Sequence, residues 1–425
     1  MKLLINSLIK IVTLLQLLSS LPIILHGKRI VCLFPNWAVY RTTSGGAGHY
    51  TVDNIDPKLC THLLYQFANI DKSSLNISIG DHAADIDKKG YKKSVALKTQ
   101  NPQLGVMISV GFANDGIENG YYEQLTANES NIVPFVSSAM DFLQLHELDG
   151  LDLDIDYVEL LTNAVIKTSF VRLLVALRKA FTPKGYILSL PLLADPSVYS
   201  ASDGEKFDVS GLNENVDFIN LKTYSYHVPS RDPTVAPVAD HHSPLRKRHF
   251  EMENENLNAE YSVTYWTNLG LLASKINLGI PLFGLSWTLG RSQSSSNSFV
   301  PPISAVGVGP PGDIMGVNNT MSFYEICSAV RNNGWKVFSD PTGKIGPYAV
   351  SPTDPKTWVG YDDPVMAIVK SQFILSEGLG GAFLSDISYD DFRDTCGLGF
   401  NPITTAIYNT LNGINTTCEC ICYDN

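Results

Sequence analysis

Asp149-Gly150-Leu151-Asp152-Leu153-Asp154-Ile155-Asp156-Tyr157 alternates acidic with aliphatic residues. On a strand, residues two apart share a face, so Asp152, Asp154 and Asp156 point one way and Leu151, Leu153 and Ile155 the other. Three carboxylates on one face repel one another. The arrangement holds only if protons, hydrogen bonds or a cation are shared, and it raises at least one pKa. A metal site would want His or Asn beside these acids, and the local sequence offers none.

Outward from this strand, short apolar runs alternate with helical patterns. Strands are expected at 29–34, 62–68, 105–110, 150–155, 187–192, 218–223, 276–282 and 380–384. Helices are expected at 84–99, 132–146, 170–181, 259–272, 363–377 and 403–411. Near-continuous apolar strands separated by helices imply a parallel sheet buried on both faces. Eight such units make the fold class α/β, a (β/α)8 TIM barrel, whose C-terminal strand ends carry the functional groups, Asp156 among them. An open doubly wound sheet is the alternative, but no glycine-rich loop follows the first strand. From Gly290 the rhythm breaks into Ser, Gly and Pro. Residues 288–362 read as a small α+β insertion between strands 7 and 8, inside a barrel spanning 28–411. Residues 412–425 form a Cys-containing tail.

The chain has 425 residues and a formal charge of −11. An acidic chain without a basic cluster lacks the cations that phosphate contacts require, which argues against nucleic acid and anionic membrane surfaces as partners. Residues 1–27 combine a positive start, an apolar middle and Gly27, the pattern of a signal peptide. A signal anchor is the alternative, but Lys10 shortens the apolar core. The expected location is secreted and extracellular, the expected state a monomer. Seven cysteines are compatible with disulfides there: Cys32, Cys60, Cys327, Cys396, Cys418, Cys420 and Cys422. No spacing fits a zinc site, and no metal or cofactor is expected. Sequons stand at Asn76, Asn128, Asn318 and Asn415.

The acidic strand resembles the Asp-Gly-x-Asp-x-Asp-x-Glu signature of family 18 glycoside hydrolases, the chitinases. Similarity extends from Val31 to Leu411. Val31-Cys32-Leu33-Phe34-Pro35-Asn36-Trp37 is similar to that family's first strand, and Cys60-Thr61-His62-Leu63-Leu64-Tyr65-Gln66-Phe67-Ala68 to its second. Lys275-Ile276-Asn277-Leu278-Gly279 and Ser388-Tyr389-Asp390-Asp391-Phe392-Arg393 resemble the insect imaginal disc growth factors, chitinase-like proteins that are not hydrolytic. The resemblance implies that Cys32 pairs with Cys60 and Cys327 with Cys396. Three tail cysteines cannot all pair with one another.

In that family a Glu protonates the leaving oxygen while the sugar's own acetamide attacks, oriented by the preceding Asp and a Tyr. The resemblance puts Asp154 at the orienting position with Asp152 behind it, Tyr224 at the Tyr, and Asp156 where the acid should be. Asp is shorter than Glu by one methylene, and misplacement of about 1 Å can cost 10²-fold in rate. Glu159 stands at an odd offset, turned to the other face. The sixth-strand Met-x-Tyr-Asp is Lys222-Thr223-Tyr224-Ser225 here. The seventh-strand Tyr-Gly-Arg is Phe283-Gly284-Leu285, the eighth-strand Trp is Ser385, and Ser-x-Gly-Gly-Trp is Ser109-Val110-Gly111-Phe112-Ala113. No catalytic residue is therefore expected, Asp156 being vestigial. An active or impaired chitinase is the alternative.

A cleft lined by Trp37, Asp154, Tyr224, Tyr226 and Trp287 would still suit a chitin-type oligosaccharide or a glycoprotein glycan, since ring faces stack on sugar C–H faces. Core packing is the competing role, favoured for Tyr65 and Phe67. By the resemblance the protein is a secreted growth or signalling factor with an unidentified receptor, or a chito-oligosaccharide-binding lectin. Lys222 has a further reading. Either the acids share protons, or Lys222 balances one of them; the cost of an interior Met-to-Lys change favours balance.

Overall fold

The computed structural model describes residues 27–111, 121–154, 164–195, 208–229, 236–248, 256–290 and 299–415. Eight parallel strands form the barrel: β1 (Arg29–Pro35), β2 (His62–Ile70), β3 (Gly105–Gly111), β4 (Gly150–Asp154), β5 (Ile187–Leu193), β6 (Phe218–Lys222), β7 (Ile276–Pro281) and β8 (Gly381–Ser385). Each pairs with its sequence neighbour, and β1 pairs with both β2 and β8, so no sheet edge is left open. The expected closed α/β barrel is what the chain forms.

The two strand faces divide the core. Leu63, Tyr65, Ile108, Val110, Leu151, Leu153, Leu188, Leu190, Leu221 and Leu278 point outward into a buried layer under the helices. That layer is filled from helices Glu129–Leu145, Ala164–Phe181, Pro364–Ser376 and Pro402–Leu411, through Phe135, Leu143, Phe170, Leu177, Phe373 and Ile407. Asp363 starts one of these helices by accepting the Met366 N–H at 2.8 Å, with Pro364 in the first turn. Among the described residues no helix is long and apolar enough to cross a membrane.

The helix expected over 84–99 is broken. A turn at Ala83–Asp87 gives way to a helix at Gly90–Ala96 after Lys89, whose φ is +63°. Gly90 is required there, because a Cβ would lie 2.1 Å from the Tyr65 hydroxyl. The helix expected to reach Leu272 ends at Asn268, ahead of Gly270 at φ +100°.

The insertion is a second, antiparallel sheet of seven strands in the order Lys336–Phe338, Tyr348–Val350, Thr357–Gly360, Phe283–Leu289, Ile303–Val308 and Val238–Ala239, with Thr320–Ser322 also on Phe283–Leu289. The helix Phe323–Asn333 packs beside it. The sheet takes in Phe283, just past β7, and Val238–Ala239, far upstream, because antiparallel pairing recruits the strands that pass it in space rather than in sequence.

Candidate functional site

Alternation along the strands sends every second side chain to the barrel axis. Val31, Leu33, Leu64, Met107, Phe218 and Phe383 form an apolar cluster there. Arg29 lies 5.2 Å over the Phe218 ring, and His62 meets that ring edge-on. Toward the C-terminal strand ends the interior turns polar. Asp152 is buried and accepts hydrogen bonds from the hydroxyls of Ser189 (2.5 Å) and Ser109 (2.9 Å), with the Asn220 amide at 3.5 Å. Asn277 donates to the Asn220 oxygen at 2.9 Å and itself accepts from Arg29 Nε at 3.0 Å. Burial pushes the Asp152 carboxyl up to about 6. The Asp154 charge adds to this, while the two serine hydroxyls and Lys222 oppose it.

Asp154 shares that face one step further up. Lys222 Nζ stands 2.9 Å from its Oδ1, and Gln66 Nε2 donates to its Oδ2 at 3.2 Å. The two side chains of the ion pair are 26% and 14% exposed, so the pair sits at the boundary between the barrel interior and its mouth. Burial works against the ammonium. Asp154, Tyr224 and Asp152 outweigh it and hold the Lys222 pKa above its ordinary value. Lys222 therefore points into the acid cluster and is charged there. Burial raises the Tyr224 hydroxyl as well.

Two groups of rings flank this pair. Trp37, in the turn Asn36–Tyr40 after β1, is 41% exposed and stacks on Phe67 with ring centres 5.8 Å apart. Phe67 in turn lies against Gly111. A Cβ on Gly111 would meet the Phe67 ring at 3.3 Å and the Asp154 carbonyl at 2.7 Å. On the other side Tyr224 meets Phe283 edge-on, and Phe283 stacks on His242 at 5.0 Å and meets Tyr389 edge-on. Arg41 pairs with Asp386 at 3.0 Å and lies over the Tyr389 ring.

The sequence-derived site residues are thus distributed unequally. Asp152, Asp154 and Tyr224 converge at the mouth, and Trp37 lies at its rim. Tyr226 is half-buried, its hydroxyl 2.7 Å from Ser262 Oγ on the helix Ala259–Asn268. Trp287 does not line a cleft. It is fully buried in the insertion, edge-on to Trp358, because its strand turns that face into the core of the second sheet. Tyr65 is core and hydrogen-bonds Asp85, whereas Phe67 reaches the rim. Leu285 belongs to the insertion core, Ser225 is exposed at φ +61°, and Ser385 is buried with its hydroxyl 3.4 Å from the Leu282 N–H. Asp156, Glu159, Phe112, Ala113, Cys418, Cys420, Cys422 and residues 1–26 lie outside the described residues.

Gln66, Ser189, Asn220, Asn277, His242 and Arg41 were not singled out by the sequence reading. Counting by two from Leu64 and Lys222 would have found Gln66 and Asn220; nothing local marks the others. Both disulfides form, Cys32–Cys60 and Cys327–Cys396. Asp391 lies beside the second, but both sulfurs are spent on each other and supply no metal ligand. Asn128, Asn318 and Asn415 are exposed, while Asn76 is partly buried with its side-chain oxygen enclosed.

Residues 29–390 match the model of glycosyl hydrolases family 18, and the chain belongs to that family. Its curated relatives include both enzymes and chitinase-like proteins. It is 32% identical over 90% of its length to probable chitinase 10 of Drosophila melanogaster, of whose length it spans 16%. It is 31% identical to chitinase-like protein Idgf4 of the same species, over 83% of this chain and 88% of that one. Among solved structures it superposes on catalytic domain 2 of an Ostrinia furnacalis Group II chitinase with a TM-score of 0.82 and 34% identity, covering 93% and 99% of the two chains. Human YKL-39, described as a pseudo-chitinase with retained chitooligosaccharide binding properties, superposes with a TM-score of 0.77 and 30% identity over 91% and 100%.

Proposed function

We propose that this protein is a secreted, extracellular chitinase-like protein that binds chito-oligosaccharides without hydrolysing them and serves as a growth or signalling factor. One observation carries the non-catalytic reading. The carboxylate at the orienting position, Asp154, is engaged by the chain's own Lys222 at 2.9 Å. A carboxylate held by an ammonium is a poor orienting group for a sugar amide, since the ion pair must first be broken. Asp156 at the acid position adds a shortfall in reach. Sugar binding is supported by the exposed Trp37–Phe67 stack and by the similarity to YKL-39; the signalling role is supported by similarity to Idgf4 alone.

The test is incubation with chito-oligosaccharides, following products by chromatography and affinity by calorimetry. Binding without product release is expected. Asp156→Glu is expected not to rescue turnover, because Lys222, Ser225, Leu285 and Ser385 remain. Cleavage by the wild type, abolished in Asp156→Ala, would establish the alternative, a family 18 chitinase; retention of Asp152, Asp154 and Tyr224 at the mouth is what favours it.

A further inference from the structure

An amide-bearing sugar is recognised by giving its C–H faces a ring and its N–H an acceptor. At the mouth of this barrel the ring is available and the acceptor is occupied. Trp37 stacks on Phe67, Phe67 lies against Gly111, and Gly111 is the register partner of Asp154 across the β3–β4 pair. This row of groups runs from the exposed rim to a carboxylate whose two oxygens already face Lys222 Nζ at 2.9 Å and Gln66 Nε2 at 3.2 Å.

We propose that Lys222 is a specificity-determining residue that ends the sugar cleft: its ammonium takes the place at Asp154 that the amide of a chitin-type sugar would take. Oligosaccharides are then held along the Trp37–Phe67 rim and stop short of the barrel floor. The inference rests on the reading that the mouth binds such sugars. Its physical basis is an unequal exchange. A neutral amide donates a weaker hydrogen bond to a carboxylate than an ammonium does. Withdrawing the ammonium would also leave Asp152 and Asp154 facing each other without their cation. Asp152 lies deeper on the same face, buried and already accepting from Ser109 and Ser189.

The experiment is calorimetric titration of wild type, Lys222→Met, Lys222→Arg and Trp37→Ala with N-acetylglucosamine oligomers from dimer to hexamer, with near-UV circular dichroism confirming the fold of each. Wild-type affinity should stop rising once the rim is filled. Lys222→Met should bind the longer oligomers tighter by about tenfold or more, the scale of one recovered hydrogen bond to a charged acceptor, and gain little for the dimer. Lys222→Arg, which keeps the cation, should keep the wild-type length profile, and Trp37→Ala should lose most wild-type binding. If Lys222→Met does not fold, Lys222→Gln is read in the same way. Identical length profiles for wild type and the folded neutral variant would overturn the inference and leave sugar binding standing. Binding by the variant alone would overturn sugar binding by the native protein, and with it the rim site, and support only the occlusion of Asp154 by Lys222. Binding by neither would overturn both.

Discussion

Asp154 and Lys222 show how one substitution changes the meaning of a motif. The acid pattern is intact along β4, yet the strand two places round the barrel supplies a cation that neutralises its outermost described member. The pair is partly exposed, so its net worth is modest, but removing one partner leaves the other enclosed and uncompensated. Lys222→Met is expected to lower stability by about 1–3 kcal/mol at neutral pH. The loss should shrink in acid, where a carboxylate without its cation takes a proton instead. For the wild type the sign runs the other way at high pH. The Lys222 pKa is raised by folding, so its contribution is complete below 10.5 and is lost only as the ammonium titrates in strong alkali. Urea unfolding of both proteins from mildly acidic to neutral pH checks this, and equal stability throughout would mean that Lys222 contributes nothing at Asp154.

At the scale of elements, the barrel is held at its ends by covalent and polar ties that the strand pattern does not reveal. Cys32 on β1 is joined to Cys60, just ahead of β2, 28 residues on. Cys327, on the helix of the insertion, is joined to Cys396, past β8, 69 residues on. Beside it Asp391 accepts the backbone N–H groups of Cys396 (2.6 Å) and Thr395 (2.9 Å), and Asp390 accepts those of Thr404 (2.8 Å) and Ile403 (3.3 Å), fixing the start of the last helix. In the chain-entropy account the longer loop stabilises more, about 4 kcal/mol against about 3.5. Removing Cys327–Cys396 by paired Ser substitutions should therefore lower the urea midpoint further than removing Cys32–Cys60. It should also loosen the insertion first, read as earlier loss of near-UV ellipticity from Trp287 and Trp358. A larger loss from the Cys32–Cys60 pair would contradict the assignment of the second bridge as the tie between insertion and barrel.

For the whole molecule, buried histidines and buried aspartates act on acid stability in opposite senses. His241 and His242 lie between barrel and insertion. His241 Nε2 meets the Tyr361 carbonyl at 3.0 Å, and His242 Nε2 meets the Phe283 carbonyl at 3.1 Å. Burial holds both well down, His242 to about 3, and burial lowers His62 in the barrel to about 4. Unfolded, each would protonate near 6.5. Between that value and its folded pKa the unfolded chain binds more protons, so stability falls as pH falls. Asp152 and Asp363, both raised to about 6 chiefly by burial, act in the opposite sense: their contribution is greatest below about 3.8 and declines as pH rises to 6. Asp362, Asp386 and Asp390 are raised in that same sense, while Asp71 and Asp340, held down by hydrogen bonds, side with the histidines, so the histidine share is read as its part in the drop of the urea midpoint from pH 7 to pH 4. Replacing His241 and His242 by Asn should make that drop shallower, whatever it does to the midpoint at pH 7. An unchanged slope would place the acid sensitivity elsewhere.

Local pattern was enough for the strand count, the closed barrel, the inward face of Asp152 and Asp154 and the place of the insertion. Each follows from a period of two along a strand or from the alternation of strands with helices, and both are properties of neighbouring residues. The family resemblance supplied the cysteine pairing and the expectation of a dead site. What the tertiary structure decided involves groups distant in sequence. Lys222 reaches Asp154 across 68 positions, and Gln66 reaches it across 88. Trp287, read as a sugar platform, is core because the strand carrying it pairs with Thr357–Gly360 and turns its ring inward onto Trp358. A hydrophobicity pattern states that a ring is buried or amphipathic, not which sheet covers it, and a charge pattern states that a cation is needed, not which strand brings it. Those choices belong to barrel closure and to the packing of the second sheet, where residues without sequence proximity come within hydrogen-bonding distance.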